Sequence, residues 1–584
     1  MAIQVEQLIT GHLDLWTQAQ TAKSASGRGS NNKIELTGIK KLRELILELA
    51  VRGKLVPQDP NDEPASELLK RIAAEKEMLV NAGKLKKQKP LPPITDAEKP
   101  FELPGGWEWC RISDVSMFTT SGSRDWAQYY SESGAIFVTM GNLSKGSYDL
   151  RLDNLRYVLP PKDGEGSRTK LEAWDLLISI TGDVGNLGLI PENFGEAYIN
   201  QHTCLLRFMP SCRNRFFPEL LRSPFSKIQF DAPQRGIKNS FRLSDVGEML
   251  CPIPPSQEQL KIVAKIDELM AFCDQLEQQS YKQLDAHNQL VDALLATLTQ
   301  SQNADDLASS WQRLAAHFDT LFTTEYSIDA LKKTILQLAV MGKLVKQDLN
   351  DEPASELLKR IALEKDALVK AGKIKKQKPL PPIGDDEKPF ELPQGWEWCR
   401  LEQLGLTSTG KTPSTSNSEF FGGEVPFIGP GQINQMGEIL TSDKFLTEKG
   451  VIESTEGMPG DILTVCIGGS IGKSAITKNR ITFNQQINAI RPIHVDSSYL
   501  YFAMCSEQFK KSILNSSSGS ATPIINRSKW ENLPIPVPPF DEQLRIVLKI
   551  GSLFEICTRC SETLYGAKQT QAVLADALVE QVVA

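Results

Sequence analysis

From Ala65 to Gly83 the apolar residues Leu68, Leu69, Ile72, Leu79 and Val80 fall mostly on one face of a 3.6-residue repeat, which predicts an amphipathic helix. Pro64 suits its first turn and Gly83 its exit. Lys84, Lys86, Lys87 and Lys89 then run into Pro90, Pro92 and Pro93, a basic extended linker that cannot continue a helix. Further on, Ser256 to about Gln300 contains neither Pro nor Gly. There Leu260, Val263, Ile266, Leu269, Cys273, Leu276, Leu290, Leu294 and Leu298 form a partial a/d-like seam. One continuous helix of about 45 residues would span roughly 68 Å at ~1.5 Å each. The seam reads first as core between helices of the same chain. Leu544, Val547, Ile550 and Phe554 begin a shorter counterpart near the C-terminus.

The stretches between these helices carry short apolar runs, which predict strands of mixed α/β globules. Globule A has runs at Ala135–Met140 and Leu176–Ile180, and globule B at Val425–Ile428 and Asp461–Ile467. Each first run leads to a glycine and an amide, Gly141-Asn142 and Gly431-Gln432. Each second run enters a Gly-rich turn, Thr181-Gly-Asp-Val-Gly185 and Gly468-Gly-Ser-Ile-Gly-Lys473. Asn200-Gln201 and Asn484-Gln485 follow in turn, so the globules share a fold and differ in surface.

The connectors are repeated outright. Residues Leu49 to Arg111 recur as Leu338 to Arg400 at an offset of 289, with 52 of 63 positions identical. A second echo sets Pro252-Ile-Pro-Pro-Ser-Gln-Glu-Gln-Leu-Lys-Ile-Val263 against Pro536-Val-Pro-Pro-Phe-Asp-Glu-Gln-Leu-Arg-Ile-Val547, at an offset of 284. The chain therefore reads helix, globule A, helix, globule B, helix. The expected domains are 1–111, helical; 112–255, first globule; 256–400, helical; 401–539, second globule; and 540–584, helical.

Composition narrows the class. With 584 residues, 40% hydrophobic and 23% charged, the chain resembles a folded soluble protein. No apolar run approaches the roughly 20 residues that cross a bilayer, and the start lacks a signal-peptide pattern. Ten cysteines without such a signal read as reduced thiols of a cytoplasmic protein. A net charge of −7 argues against a generally basic coat but leaves room for a local basic cleft.

Gly405-Leu-Thr-Ser-Thr-Gly410-Lys411-Thr412 matches the P-loop pattern. A P-loop needs a strand before it and a helix starting at its Lys, whereas Pro413 and loop-forming residues follow Thr412. The alternative of a P-loop NTPase using Gly405–Thr412 thus has its letters without its context. Cys557-x-x-Cys560 stands alone and reads as a partly buried helical pair rather than a metal site. The five histidines form no ligand or catalytic cluster, and no methyltransferase or nuclease motif survives a check of context. The sequence points to no chemistry of the chain's own.

Its loops do suit DNA. Arg and Lys can read guanine edges, Asn and Gln adenine edges, and Lys, Ser and Thr can hold phosphates. Globule A offers Arg124, Asn142, Lys145, Gln201, His202, Arg235, Lys238, Asn239 and Arg242. Globule B offers Lys411, Thr412, Ser414, Gln432, Asn434, Lys473, Asn484, Gln485, Gln486, Arg527 and Lys529. Each globule is close to electroneutral, so a partner is expected to supply much of the phosphate affinity.

The two copies of EKPFELPxGWEWCR, the Gly410 to Ser414 opening and the PIPPSQEQLKIV and PVPPFDEQLRIV closings resemble the specificity subunit of Type I restriction-modification systems. The duplicated helical region with KKQKPLPP resembles the subgroup called type IB. Globule A departs from the usual Gly-Lys-Thr-Pro opening with Gly122-Ser-Arg124. The resemblance implies an α+β chain: two mixed α/β target-recognition domains separated by long antiparallel, coiled-coil-like helical regions with pseudo-two-fold symmetry. It implies a noncatalytic subunit that reads a split, asymmetric site in double-stranded DNA. The expected partners are two modification subunits and two restriction subunits, with no membrane. S-adenosylmethionine, ATP and magnesium would belong to those partners, and this chain would bind no cofactor.

Overall fold

A computed structural model describes residues 9–19, 21–22, 34–87, 90–160, 166, 169–232, 240–376, 380–519 and 522–583. The chain divides into two units, one running to Gln283 and resuming at Ala567, the other Leu284–Gly566.

The uninterrupted periodic stretch is one helix, Ser256–Gln300, of 45 residues. Its C-terminal counterpart, Phe540–Val583, has 44 residues and is shorter by only one. Gly551 and Gly566 lie inside it without ending it, since nothing there demands a positive φ. The duplicated amphipathic segments form Ala65–Asn81 and Ala354–Lys370, each with an extended Pro at the N-cap rather than in the first turn. Gly83 and Gly372 close them at φ +68° and +69°, a conformation that favours glycine.

The buried stripe of the long helix follows most of the expected seam, with Ile266, Leu269, Cys273 and Leu298 buried and Val263, Leu276 and Leu294 packed against the core, but departs from it at two positions. Ile262, Ile266, Leu269 and Cys273 are buried, whereas Leu260 is 56% exposed; later Val291, Leu295 and Leu298 are buried and Leu290 is 52% exposed. The buried positions step by four and three, the period of a helix packed on a globule. Leu544 likewise lies outward while Ile546 and Ile550 are buried.

In the first unit, helix Thr37–Val51 packs Ile39, Leu42, Leu45, Ile46 and Leu49 into a core with the helices Phe216–Leu221 and Pro224–Asp231. Ala575, Leu578 and Val579, from the far end of the chain, complete that core, and Lys41 pairs with Asp576 at 2.9 Å. In the second unit, helix Glu325–Val340 has the same role, and Val291, Leu295 and Leu298 supply the corresponding helical piece. Asp292, at the position matching Asp576, accepts from Tyr326 Oη at 2.6 Å.

Each unit carries the same sheets. One is antiparallel: Ser116–Ser121, Thr203–Phe208, Leu176–Ser179, Leu187–Leu189 in the first unit, and Gly405–Thr409, Ile487–Pro492, Ile462–Val465, Ser474–Ile476 in the second. The other is mixed. Its parallel pair is Ala135–Val138 with Ala197–Ile199, repeated as Phe421–Ile428 with Ile481–Phe483. The fourth strand differs: Tyr130–Ser131 joins one edge in the first unit, Thr455–Gly457 the opposite edge in the second. A third, two-stranded sheet pairs Glu108–Arg111 with Leu250–Ile253, and Glu397–Arg400 with Pro534–Val537, so the duplicated WEWCR text docks beside the following helix.

Bidentate ion pairs on a buried aspartate fix these sheets, with the arginine buried in the first unit and exposed in the second. The Arg207 guanidinium forks onto Asp175, with both bonds at 2.7 Å, and Arg491 does the same to Asp461 at 2.8 Å. Burial pushes the Asp175 carboxyl up, and Arg207 opposes that shift. Among the described residues, no helix is long and apolar enough to cross a membrane.

Candidate nucleic-acid interface

Within each unit, separate loops are stitched to one another by backbone bonds. In the second unit, strand Gly405–Thr409 ends at Gly410, where a β-carbon would sit 1.9 Å from the carbonyl oxygen of Asn484. Lys411 N donates to Phe483 O at 3.1 Å, and Thr412 Oγ1 donates to Gln485 Oε1 at 2.6 Å. Asn484 N donates to Ile428 O, which brings in the loop from Gly429 to Leu440. Cys466 N donates to Gln486 O, and Ile467 bridges Ile524, adding the Gly-rich turn and the segment after Ser516.

The first unit repeats the scheme. A β-carbon on Gly122 would lie 2.0 Å from Ile199 O, Ser123 bridges Asn200, Ser144 bridges Leu187, and Thr181 bridges Ser240. The Gly-rich turns need their glycines: Gly182 and Gly185 have φ +76° and +85°, Gly468 and Gly472 +94° and +84°.

The P-loop reading fails on this geometry. Gly405 to Thr409 is a paired strand, not a phosphate-cradling loop, and Lys411 is followed by turn rather than helix. Its ammonium meets Glu453 at 3.1 Å. Cys557 is buried on the C-terminal helix with Cys560 half-buried, and no group of ligands that could hold a metal occurs among the described residues.

The candidate side chains separate into two sets. Several Asn and Gln amides hold their own turns, as such residues do in tight loops. Asn142 is buried: it accepts from Thr139 N and Oγ1 at 2.9 and 3.0 Å and donates to Arg151 O at 2.9 Å. Reading a base would break those bonds, so Asn142 is a turn-holding residue. Gln432 accepts from Gly429 N at 3.0 Å, and Asn484 exchanges bonds with Gln486 at 3.0 and 3.2 Å. Asn434 accepts from the amides of Met436 and Glu438, both at 2.9 Å. Arg527 is tied to Glu531 and to Thr407 O at 2.7 Å, so it braces the first strand.

The second set faces outward. Arg124, Lys145 and Arg242 are exposed in the first unit, as are Lys411, Ser414 and Gln485 in the second. Gln201, His202, Thr412 and Lys473 are half-buried beside them; the Gln201 amide and the His202 ring lie 3.0 Å apart. Arg235, Lys238 and Asn239 lie outside the described residues, as does Lys89 of the basic linker.

Two features escaped the sequence reading. Tyr148, in the loop after Lys145, donates to Glu219 at 2.9 Å and accepts from Arg215 Nε at 2.6 Å. Arg215 forks onto Asp267 of the long helix at 2.6 and 2.8 Å, so the Tyr148 loop is bolted to that helix. Met436 stands 82% exposed in the corresponding loop of the second unit. A lone methionine at a loop tip carries no periodic pattern in the sequence.

Comparison with known proteins agrees with this architecture. Residues 104–286 and 393–565 each match the family described as "Type I restriction modification DNA specificity domain". The chain is 44% identical over 604 residues to the Type I restriction enzyme EcoEI specificity subunit of Escherichia coli, covering 99% of each. It is 42% identical over 619 residues to the EcoAI specificity subunit of the same organism, again over 99% of each. A solved chain from work on complex assembly of the type I R-M system is 18% identical, with TM-score 0.47, covering 83% of this chain and 99% of that one. With both globules matched and near-complete alignment to two such subunits, the chain belongs to the family of Type I restriction-modification DNA specificity subunits.

Proposed function

We propose that this chain is the noncatalytic DNA-reading subunit of a Type I restriction-modification complex, each globule reading one half of an interrupted, asymmetric site. The observation that carries this reading is the pair of loop clusters: like antiparallel sheets and parallel pairs, with corresponding loops stitched by backbone bonds, presenting different side chains. Arg124, Lys145 and Arg242 face out in one, Lys411, Ser414 and Gln485 in the other. Unlike surfaces on like scaffolds suit unlike half-sites.

The duplicated segments dock two copies of a modification subunit. Their identity extends to exposed residues such as Glu67 and Glu356 or Lys70 and Lys359, where packing imposes no choice. Two restriction subunits join that assembly, and S-adenosylmethionine, ATP and magnesium bind to the partner subunits, all in the cytoplasm. The test is the methylome of cells expressing this chain with its modification subunit, before and after residues 112–255 are replaced by another globule. One half-site should change while the other and the gap stay fixed. A continuous palindromic target, or a swap that altered both halves, contradicts the reading.

A further inference from the structure

The loops that end at Gly146 and Gly437 are counterparts with opposite chemistry at the tip. Both glycines have positive φ, +82° and +77°, and the residue before each is exposed: Lys145 in the first unit, Met436 in the second. The second loop is held by several bonds. Ile433 bridges Ile439 at its base, and Asn434 Oδ1 accepts from Met436 N and Glu438 N. Asn434 Nδ2 donates to Glu438 Oε2 at 2.8 Å, and Gly437 lies so close to Tyr501 that a β-carbon would fall 1.8 Å from its hydroxyl. The tip cannot fold back to bury Met436 without breaking these bonds.

The result is a pre-set apolar side chain, 82% exposed, that the fold does not use. It stands beside exposed Gln435, on the loop joined through Ile428 and Asn484 to the Lys411–Gln485 cluster. The amides of Gln435 and Asn434 and the carboxylate of Glu438 flank one flexible thioether. On the major-groove edge of a base pair the one apolar group is the thymine C5-methyl.

Resting on the DNA-reading function above, we propose that Met436 is a specificity-determining residue that packs against a thymine methyl in the half-site read by the second unit. Lys145, at the matching tip, gives the first unit no such contact. Met436 is exposed and bonded only through its backbone, so Met436→Ala retains the fold, which an unchanged melting curve verifies.

The test uses the full chain with its modification subunits and a duplex carrying the target found by the methylome. Each thymine is replaced in turn by deoxyuridine, which removes only the methyl. Binding by the native chain should weaken about three- to ten-fold at one thymine of the second half-site, and Met436→Ala should be indifferent to that replacement. Deoxyuridine in the first half-site should show no coupling to Met436. The proposal is overturned if Met436→Ala keeps the full deoxyuridine penalty, if its loss is the same on both duplexes, or if that half-site holds no thymine. A native chain without any sequence preference would instead defeat the DNA-reading function itself.

Discussion

The indole N–H of Trp107 donates to the Glu258 carboxylate at 3.0 Å, tying the WEWCR strand to the first turn of the long helix. The second unit repeats it, Trp396 to Glu542 at 3.0 Å, with both carboxylates buried. The copies differ in the remaining oxygen. Gln58 donates both to Gly53 O at 2.6 Å and to Glu258 at 3.2 Å, whereas its counterpart Gln347 keeps only the bond to Gly342 O, and Glu542 Oε1 has no partner among the described residues.

That difference sets a pH dependence. Burial pushes the Glu542 carboxyl up to about 7, despite the Trp396 N–H and the nearby Arg545, with Asp351 adding to the rise. The folded chain therefore holds a proton that the unfolded chain releases at ordinary carboxylate pKa. The stabilisation is complete below about pH 4.5 and is lost as pH rises through about 7. Melting temperature should fall across that window in the native chain, and the Glu542→Gln variant should lose this component. Equal slopes for the two proteins would contradict the assignment.

Replacing Trp396 separates packing from the hydrogen bond. Trp396→Phe keeps much of the ring volume but leaves Glu542 without its donor, and should cost about 1–3 kcal/mol. Trp396→Ala adds a cavity and should cost about 3–5 kcal/mol, measured by denaturant unfolding. Equal costs for the two would mean that the bond, not the packing, dominates.

Gly410 and Gly122 are points of close backbone approach. An alanine at either collides with backbone across the loop junction, at 1.9 Å and 2.0 Å, and should cost about 1–3 kcal/mol. Gly410→Ala should weaken reading of the second half-site and Gly122→Ala that of the first, as seen by methylation at each half-site in cells. Loss of both half-sites from either variant would show global unfolding instead.

Lys411 should matter to DNA and not to nucleotide. Calorimetry should detect no stoichiometric ATP binding to the native chain, since no helix follows Thr412 to receive phosphates. Lys411→Ala should weaken all DNA sequences alike and reduce the salt slope by about 0.9 if one phosphate contact is lost. Unchanged affinity and salt slope would place Lys411 off the interface, held by Glu453.

The sequence by itself determined the duplicated connectors, the Ser256–Gln300 helix and the presence of two like-folded globules with unlike surfaces. Those features are local: a 3.6-residue pattern without Pro or Gly, and identity at fixed offset, need no knowledge of neighbours. The seam also placed Ile266, Leu269, Cys273 and Leu298 on the buried side, but tertiary structure alone decided the edges of that stripe, since Ile262 and Leu260 differ only in what lies against them. It also brought Ala575 and Asp576 into the first unit and divided the loop amides into turn-holders and outward groups. Asn142 and Gln485 are equally polar letters, but one is buried in bonds to Thr139 and Arg151 and the other is exposed. A side chain's availability depends on hydrogen-bond partners distant in sequence, and only the folded chain supplies those.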